Sequence, residues 1–201
     1  MKYYLILRRA FVLFYVDLWY DLFQSIIRMG NKMMGENKII NDFNEYSIWI
    51  NTLKGMKEEL WTAPISEGKW TVGEIVSHIM NWDDYLLRES LSSVRDGQGM
   101  EFPDFDTYNK IASNYAKSGI SMMKLLEEAT AKRELLVKEL RLLPAGNLKK
   151  PLTANGVSHC PHTGMPYSLI YIIKEFIDHD NHHKRQIINF LNENHIKKST
   201  C

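Results

Sequence analysis

The chain has 201 residues, a hydrophobic content of 45% and a formal net charge of +1 at pH 7. This length suits one domain with an appendage, and the near-neutral charge argues against a nucleic acid partner. Two cysteines, Cys160 and Cys201, are too few for a disulfide framework and predict a reduced, cytoplasmic protein.

Residues 1–34 form an aromatic and apolar N-terminal extension. Charges at Arg8, Arg9, Asp17 and Asp21 leave no uncharged stretch near the roughly 20 apolar residues that a spanning helix needs, so a membrane partner is disfavoured. A signal peptide pattern is also missing. The extension is an extra packing helix, a membrane-surface or homodimer-forming helix, or a stretch upstream of the true start. We therefore place the functional domain at residues 35–201.

Two helical stretches are predicted in the first half of the domain. Apolar residues at helical spacing indicate a helix from about Ile39 to Leu60. The next helix has a capping box signature, with Thr71 at the cap and Glu74 three residues later, and it extends to about Ser92.

Two further helical stretches follow. One runs from about Thr107 to Leu142 and is interrupted near Gly119, because glycine destabilises a helix interior. The last runs to about Leu191, with Pro166 suited to its first turn. The third stretch offers residues for exposed ion pairs: Glu127, Glu128, Lys132 and Arg133.

Long connections at about residues 95–107 and 144–165 separate these helices, and no strand-like alternation is present. The sequence therefore predicts an all-α fold: a four-helix bundle with two long inter-helix connections, plus an extra N-terminal helical segment. In such bundles, sites are built from inward-facing side chains on several helices.

Three histidines stand where the helical pattern calls for large apolar residues. His78 lies in one stripe, and His179 and His183 lie in another, four residues apart. An isolated buried ring costs about 1–3 kcal/mol, a cost that sharing one divalent cation would offset. We predict that His78, His179 and His183 bind a metal with an open coordination position, as catalytic zinc sites do. The alternative is three separately hydrogen-bonded core histidines. The two stripes are Ile75, His78, Trp82, Tyr85 and Ile172, Phe176, His179, His183, Ile187, Phe190.

Other polar residues are weaker candidates. His182 is rotated by about 100° from His183 and should miss the same point. Glu175 is a hydrogen-bond partner of the site, a base, or a solvated carboxylate, while Asp83 and Asp84 fit a polar face. No catalytic base can be identified. Three residues are interpreted as ordinary loop residues: His159, Cys160 and His162.

Two motifs resemble those of the DinB/YfiT-like superfamily over about residues 38 to 192. They are WTVGEIVSHIMNWD, which contains His78, and HDNHHKRQI, which matches the last-helix pattern H-x-x-H-H-x-x-Q-I through His179, His183 and Gln186. The chain departs at Lys184-Arg185, where members often have Arg-Gly. The resemblance implies a four-helix bundle that holds a divalent metal on the same three histidines. It also implies thiol S-transferase or thiol-dependent isomerase chemistry, and a related protective branch lacks the metal histidines.

We therefore predict a metal-dependent enzyme, a thiol S-transferase or a hydrolase, that acts on small electrophilic molecules. Its cofactor would be zinc or nickel, with iron and manganese as alternatives. Its partners would be a small-molecule substrate and a low-molecular-weight thiol. The alternative function is a non-catalytic metal- or ligand-binding protein of stress protection.

Overall fold

The computed structural model describes residues 35–144 and 146–199, without the side chains of residues 195–199. The predictions for residues 1–34 lie outside this part of the chain. From Ile39 onward the chain forms one compact unit.

Helix α1 covers residues 35–50 and is followed by a 3-10 helix, Asn51–Gly55, and by a short helix α2, Glu58–Thr62. Its predicted inward stripe is buried at Phe43 and Ile50. The prediction of one helix to Leu60 is wrong, because the backbone is extended at Met56 and Lys57, directly after Gly55.

Helix α3 spans Val72–Tyr85 and begins with the predicted capping box. The Thr71 hydroxyl accepts from the Glu74 amide at 3.1 Å, and the Glu74 carboxylate accepts from the Thr71 amide at 3.0 Å. A π-helical turn, Leu86–Ser90, leads into α4, Leu91–Asp96. The helical segment therefore ends four residues beyond the predicted Ser92.

Helices α5, Phe105–Ala116, and α6, Met122–Leu142, are separated near Gly119, as predicted. Helix α7 spans Leu169–Ser199. The placement of Pro166 in its first turn is wrong. The Ser168 hydroxyl accepts from the Tyr171 amide at 3.3 Å, as an N-cap does, and Pro166 pairs with His159 in an isolated bridge before the helix.

Helix α3 is central to the bundle and contacts α5, α6 and α7. The predicted four-helix bundle with two long connections is confirmed, and within residues 35–144 and 146–199 the only β-structure is isolated bridges. The three histidines separate two apolar clusters, one containing Trp82 and Ile172 and the other Ile79 and Ile187. In the described residues, every helix is too short or too polar to cross a membrane.

Candidate metal centre

The structure brings the three predicted histidines together. The Nε2 atoms of His78 on α3 and His179 on α7 lie 2.9 Å apart. One ring nitrogen from each of His78, His179 and His183 lies within 4.8 Å of the others, and among the described residues this is the only such group of three potential ligands. Convergence is thus observed, while metal binding by these residues stays a prediction.

Packing limits the freedom of the three rings. His78 is only 6% exposed, and the Trp70 ring lies 4.8 Å from it, centroid to centroid. The same tryptophan stacks on His183 at 6.3 Å, with an interplanar angle of 22°. Trp70 directly precedes the capping box, so the start of α3 helps to fix the rings.

The nitrogens that point away from the cluster have acceptors on α7. His183 Nδ1 lies 2.8 Å from Gln186 Oε1, and His179 Nδ1 lies 3.3 Å from Asp180 Oδ1. Amide and carboxylate oxygens accept hydrogen bonds, so each ring donates from Nδ1. In a neutral imidazole this leaves the lone pair on Nε2, the tautomer that a ligand bound at Nε2 requires.

His78 has an unsatisfied nitrogen in this arrangement. Its Nδ1 is buried without a hydrogen-bond partner, and so is Oδ1 of Asn109 on α5. The two side chains are neighbours, since Asn109 acts to raise the pKa of His78. Metal binding at Nε2 would fix the His78 proton on Nδ1, and Asn109 Oδ1 is an unsatisfied acceptor in the neighbouring side chain. The orphaned pair therefore fits a metal-binding role.

The environment keeps two of the rings neutral. Burial and the neighbouring His179 lower the pKa of His78 to about 3. Burial, followed by His179, lowers the pKa of His183 to about 4. Both rings are therefore neutral at pH 7, as metal-binding imidazoles must be, and neutral ligands leave the full charge of a bound cation available for chemistry.

The donor set fits a catalytic divalent metal. In a tetrahedral site with bonds of about 2.0–2.1 Å, two ligand nitrogens lie about 3.4 Å apart, so closing a separation of up to 4.8 Å requires ring movements of about 1.4 Å. Three protein ligands leave a fourth position open, and a cavity of about 310 Å³ lies against His78 and His179. A structural zinc site would instead have four protein ligands.

A buried ionic network contacts His179 on its Nδ1 side, through Asp180. Arg133 donates through Nε to both Asp83 carboxylate oxygens, at 2.9 and 3.0 Å, and through Nη2 to Asp180 Oδ2 at 2.7 Å. Its Nη1 donates to the Phe43 carbonyl at 2.8 Å. Although burial acts to raise it, Arg133 and His179 hold the pKa of Asp180 below its ordinary value. Asp180 therefore joins the guanidinium to His179.

Two sequence predictions about this network are wrong. Arg133 was expected to form exposed ion pairs and Asp83 to lie on a polar face, but the two residues are 0% and 1% exposed. Because two carboxylates and a backbone carbonyl satisfy the guanidinium, it can be buried in the core. The sequence analysis also missed Asn109 and Asp180.

The remaining candidates lie apart from the cluster or at its edge. His182 is exposed and outside the cluster, and Glu175 is exposed on the cavity wall. Cys160 is buried in the second long connection, where hydrogen bonds from Tyr171 and Thr163 lower its thiol pKa to about 6. His159 and His162 in the same connection do not join the three-histidine group.

The low pKa of His183 predicts a pH-dependent stability of the metal-free protein. The unfolded chain protonates this ring below about pH 6.5, whereas the folded chain protonates it only near pH 4, so stability is lost as pH falls through this window. Acidification from pH 7 to 5 should therefore destabilise the chelator-treated wild type more than His183→Gln, by on the order of 1–2 kcal/mol. Urea unfolding at both pH values measures this difference.

The matched control is His182→Gln, which changes an exposed histidine on the same helix and should retain the wild-type response. If His183→Gln and wild type lose the same stability on acidification, His183 is not held neutral in the folded chain.

Comparison with known proteins identifies a family and a similar fold. A family model for the DinB superfamily matches residues 46–187, which include all three histidines. Among solved structures, the chain resembles YfiT from Bacillus subtilis, described as a probable metal-dependent hydrolase with an unusual four-helix bundle topology. The TM-score is 0.60 at 18% identity, over 79% of this chain and 86% of that one. No curated protein sequence matches the chain.

Proposed function

Since this chain belongs to the DinB superfamily, we propose that it is a metal-dependent enzyme that joins a low-molecular-weight thiol to a small electrophilic molecule. His78, His179 and His183 would hold one divalent ion, with zinc or nickel the best suited to three imidazoles. The observation that carries the proposal is the convergence of three histidine nitrogens beside a cavity.

A divalent ion on these nitrogens would supply Lewis acidity, which lowers the pKa of a coordinated thiol or water and so provides a nucleophile at neutral pH. The chain's own contribution is to orient and to exclude water. Gln186 and Asp180 hold the Nδ1 protons of His183 and His179, and Trp70 covers two of the rings. The three histidines therefore serve as ligands and not as proton carriers.

The overall reaction balances without a redox partner. The thiol sulfur forms a bond to the electrophilic carbon, the leaving group departs with the electron pair of the broken bond, and the thiol proton passes to solvent. Hydrolysis by a water molecule is the second candidate function, and the description of YfiT as a probable metal-dependent hydrolase supports it.

The two chemistries are tested together on the full chain. Protein loaded with zinc, nickel, iron or manganese is incubated with low-molecular-weight thiols and monobromobimane, and separately with a nitrophenyl ester. We expect metal-dependent conjugation that saturates with thiol and disappears after chelation. Faster ester cleavage with no effect of thiol would favour the hydrolase.

The alternative is a protein that binds metal without turnover. It would bind about one ion per chain, as a three-histidine site does, yet accelerate neither reaction with any thiol or metal. That pair of results would overturn the enzymatic proposal and leave the metal site standing.

A further inference from the structure

The cavity beside the histidines has a mainly aromatic wall. It measures about 310 Å³, at the small end of the range for ligand pockets, and His78 and His179 form one side of it. The remaining lining is dominated by four rings: Trp82, Phe102, Phe105 and Phe176.

These rings pack on each other and form a pre-organised surface. Trp82 is only 6% exposed, and its ring lies 5.6 Å from Phe105, 5.8 Å from Phe176 and 6.4 Å from Phe102, centroid to centroid. The contact with Phe105 is edge-to-face, which is a favourable arrangement for aromatic pairs. A ligand would therefore bind to rings whose positions are already set by their mutual packing.

Phe105 is unusual because it is 56% exposed although it lines the cavity. It is the first residue of α5, and the carboxylate of Asp104 caps this helix by accepting from the Thr107 amide at 2.9 Å. The cap fixes the start of α5, and contacts with the rings of Trp82 and Phe102 place the phenyl ring at the rim, where a flat apolar ligand would cover it.

The carboxylate on the cavity wall limits the charge of the ligands that can bind. Glu175 is the one carboxylate among the lining residues, and Asn109 is the other polar group besides the histidines. Glu175 lies one turn before His179 on α7, so an anionic substituent near the rim would be repelled.

We propose that the electrophile is a neutral molecule with an aromatic group of roughly one or two rings, bound against Trp82, Phe105 and Phe176 with its reactive carbon towards His78 and His179. This inference rests on the proposed function and adds the substrate class. Phe105 and Glu175 are its specificity-determining residues: Phe105 contributes apolar contact, and Glu175 disfavours an anionic group at the rim.

Binding of unreactive analogues tests the inference separately from catalysis. On the full chain treated with chelator, so that no ion attracts the carboxylate, ligand-observed NMR titrations compare benzyl alcohol with benzoate. We expect benzyl alcohol to bind at least about tenfold more tightly, and Phe105→Ala to weaken it by about five- to tenfold. Ile111→Ala is the matched control, since Ile111 lies on the same helix, is 53% exposed and does not line this cavity.

Turnover gives the second measurement. Thiol conjugation with benzyl bromide should exceed that with 4-(bromomethyl)benzoate, and Glu175→Gln should reduce this preference several-fold. If benzyl alcohol binds and depends on Phe105 but no conjugation occurs, the proposed enzymatic function fails and the aromatic site stands.

Other results would overturn the inference. Equal conjugation rates for the neutral and the anionic electrophile would contradict the proposed preference. Equal effects of Phe105→Ala and Ile111→Ala on benzyl alcohol binding would contradict the proposed role of Phe105. A failure of benzyl alcohol to bind would also reject the aromatic substrate class, even if conjugation of monobromobimane were observed.

Discussion

His183→Ala should lose the bound ion and lower thiol conjugation by at least about 100-fold. The substitution removes one of three converging nitrogens, so two imidazoles would remain to hold the metal. It also leaves Gln186 Oε1 without the proton that it accepts at 2.8 Å. Metal content per chain by mass spectrometry and conjugation of monobromobimane are the two measurements.

His182→Ala is the matched control for this variant. It makes the same chemical change at the adjacent position of α7, where the ring is exposed and its centroid lies 5.5 Å from that of His183. We expect this control to retain both metal and activity. A His183→Ala protein that keeps a full complement of metal, or a His182→Ala protein that loses it, would show that the ion binds elsewhere.

The histidine cluster could be predicted because each histidine occupies a position where helical periodicity calls for an apolar residue. Ile75 and Ile79 surround His78 on α3, and Ile172 and Ile187 lie on the same stripe as His179 and His183, so burial of the rings follows from helical periodicity. Periodicity does not give the distance between α3 and α7. The approach of the Nε2 atoms depends on how the bundle packs, which is a long-range property.

Arg133 shows why a buried charge is harder to predict than a buried histidine. It lies four residues after Ala129 and three before Leu136, both of which are buried, so its helical spacing is that of an inward position. The charge favoured the surface because an unpaired buried charge is too costly. Its partners, Asp83 and Asp180, are 50 and 47 residues away and come together only in the fold.

The aromatic cavity depends on contacts between the two long connections. Met100 donates to the Thr153 carbonyl at 2.8 Å, and the Phe102 amide donates to Asn155 Oδ1 at 2.7 Å, which helps to place the Phe102 ring. These contacts join segments that are 53 residues apart, and neither segment has a periodic pattern. The sequence could therefore indicate the three converging histidines but not the cavity beside them.

Asp180→Asn should weaken metal affinity by about 10- to 100-fold, although Asp180 would not touch the ion. An amide has one acceptor and one donor where the carboxylate has two acceptors. Arg133, which donates to Oδ2 at 2.7 Å, would take the oxygen, so the NH₂ group would face His179 Nδ1. His179 would then have to accept at Nδ1 and carry its proton on Nε2, the nitrogen that faces the cluster.

Asp83→Asn is the matched control, because Asp83 binds the same guanidinium at 2.9 and 3.0 Å but has no hydrogen bond to a histidine. Both variants should lower the free energy of unfolding, since each removes one buried carboxylate from Arg133. Only Asp180→Asn should weaken metal binding, measured by chelator competition, and change the His179 tautomer, measured by ¹⁵N NMR of the metal-free protein. Equal losses of metal affinity in the two variants would mean that the network stabilises the bundle without orienting His179.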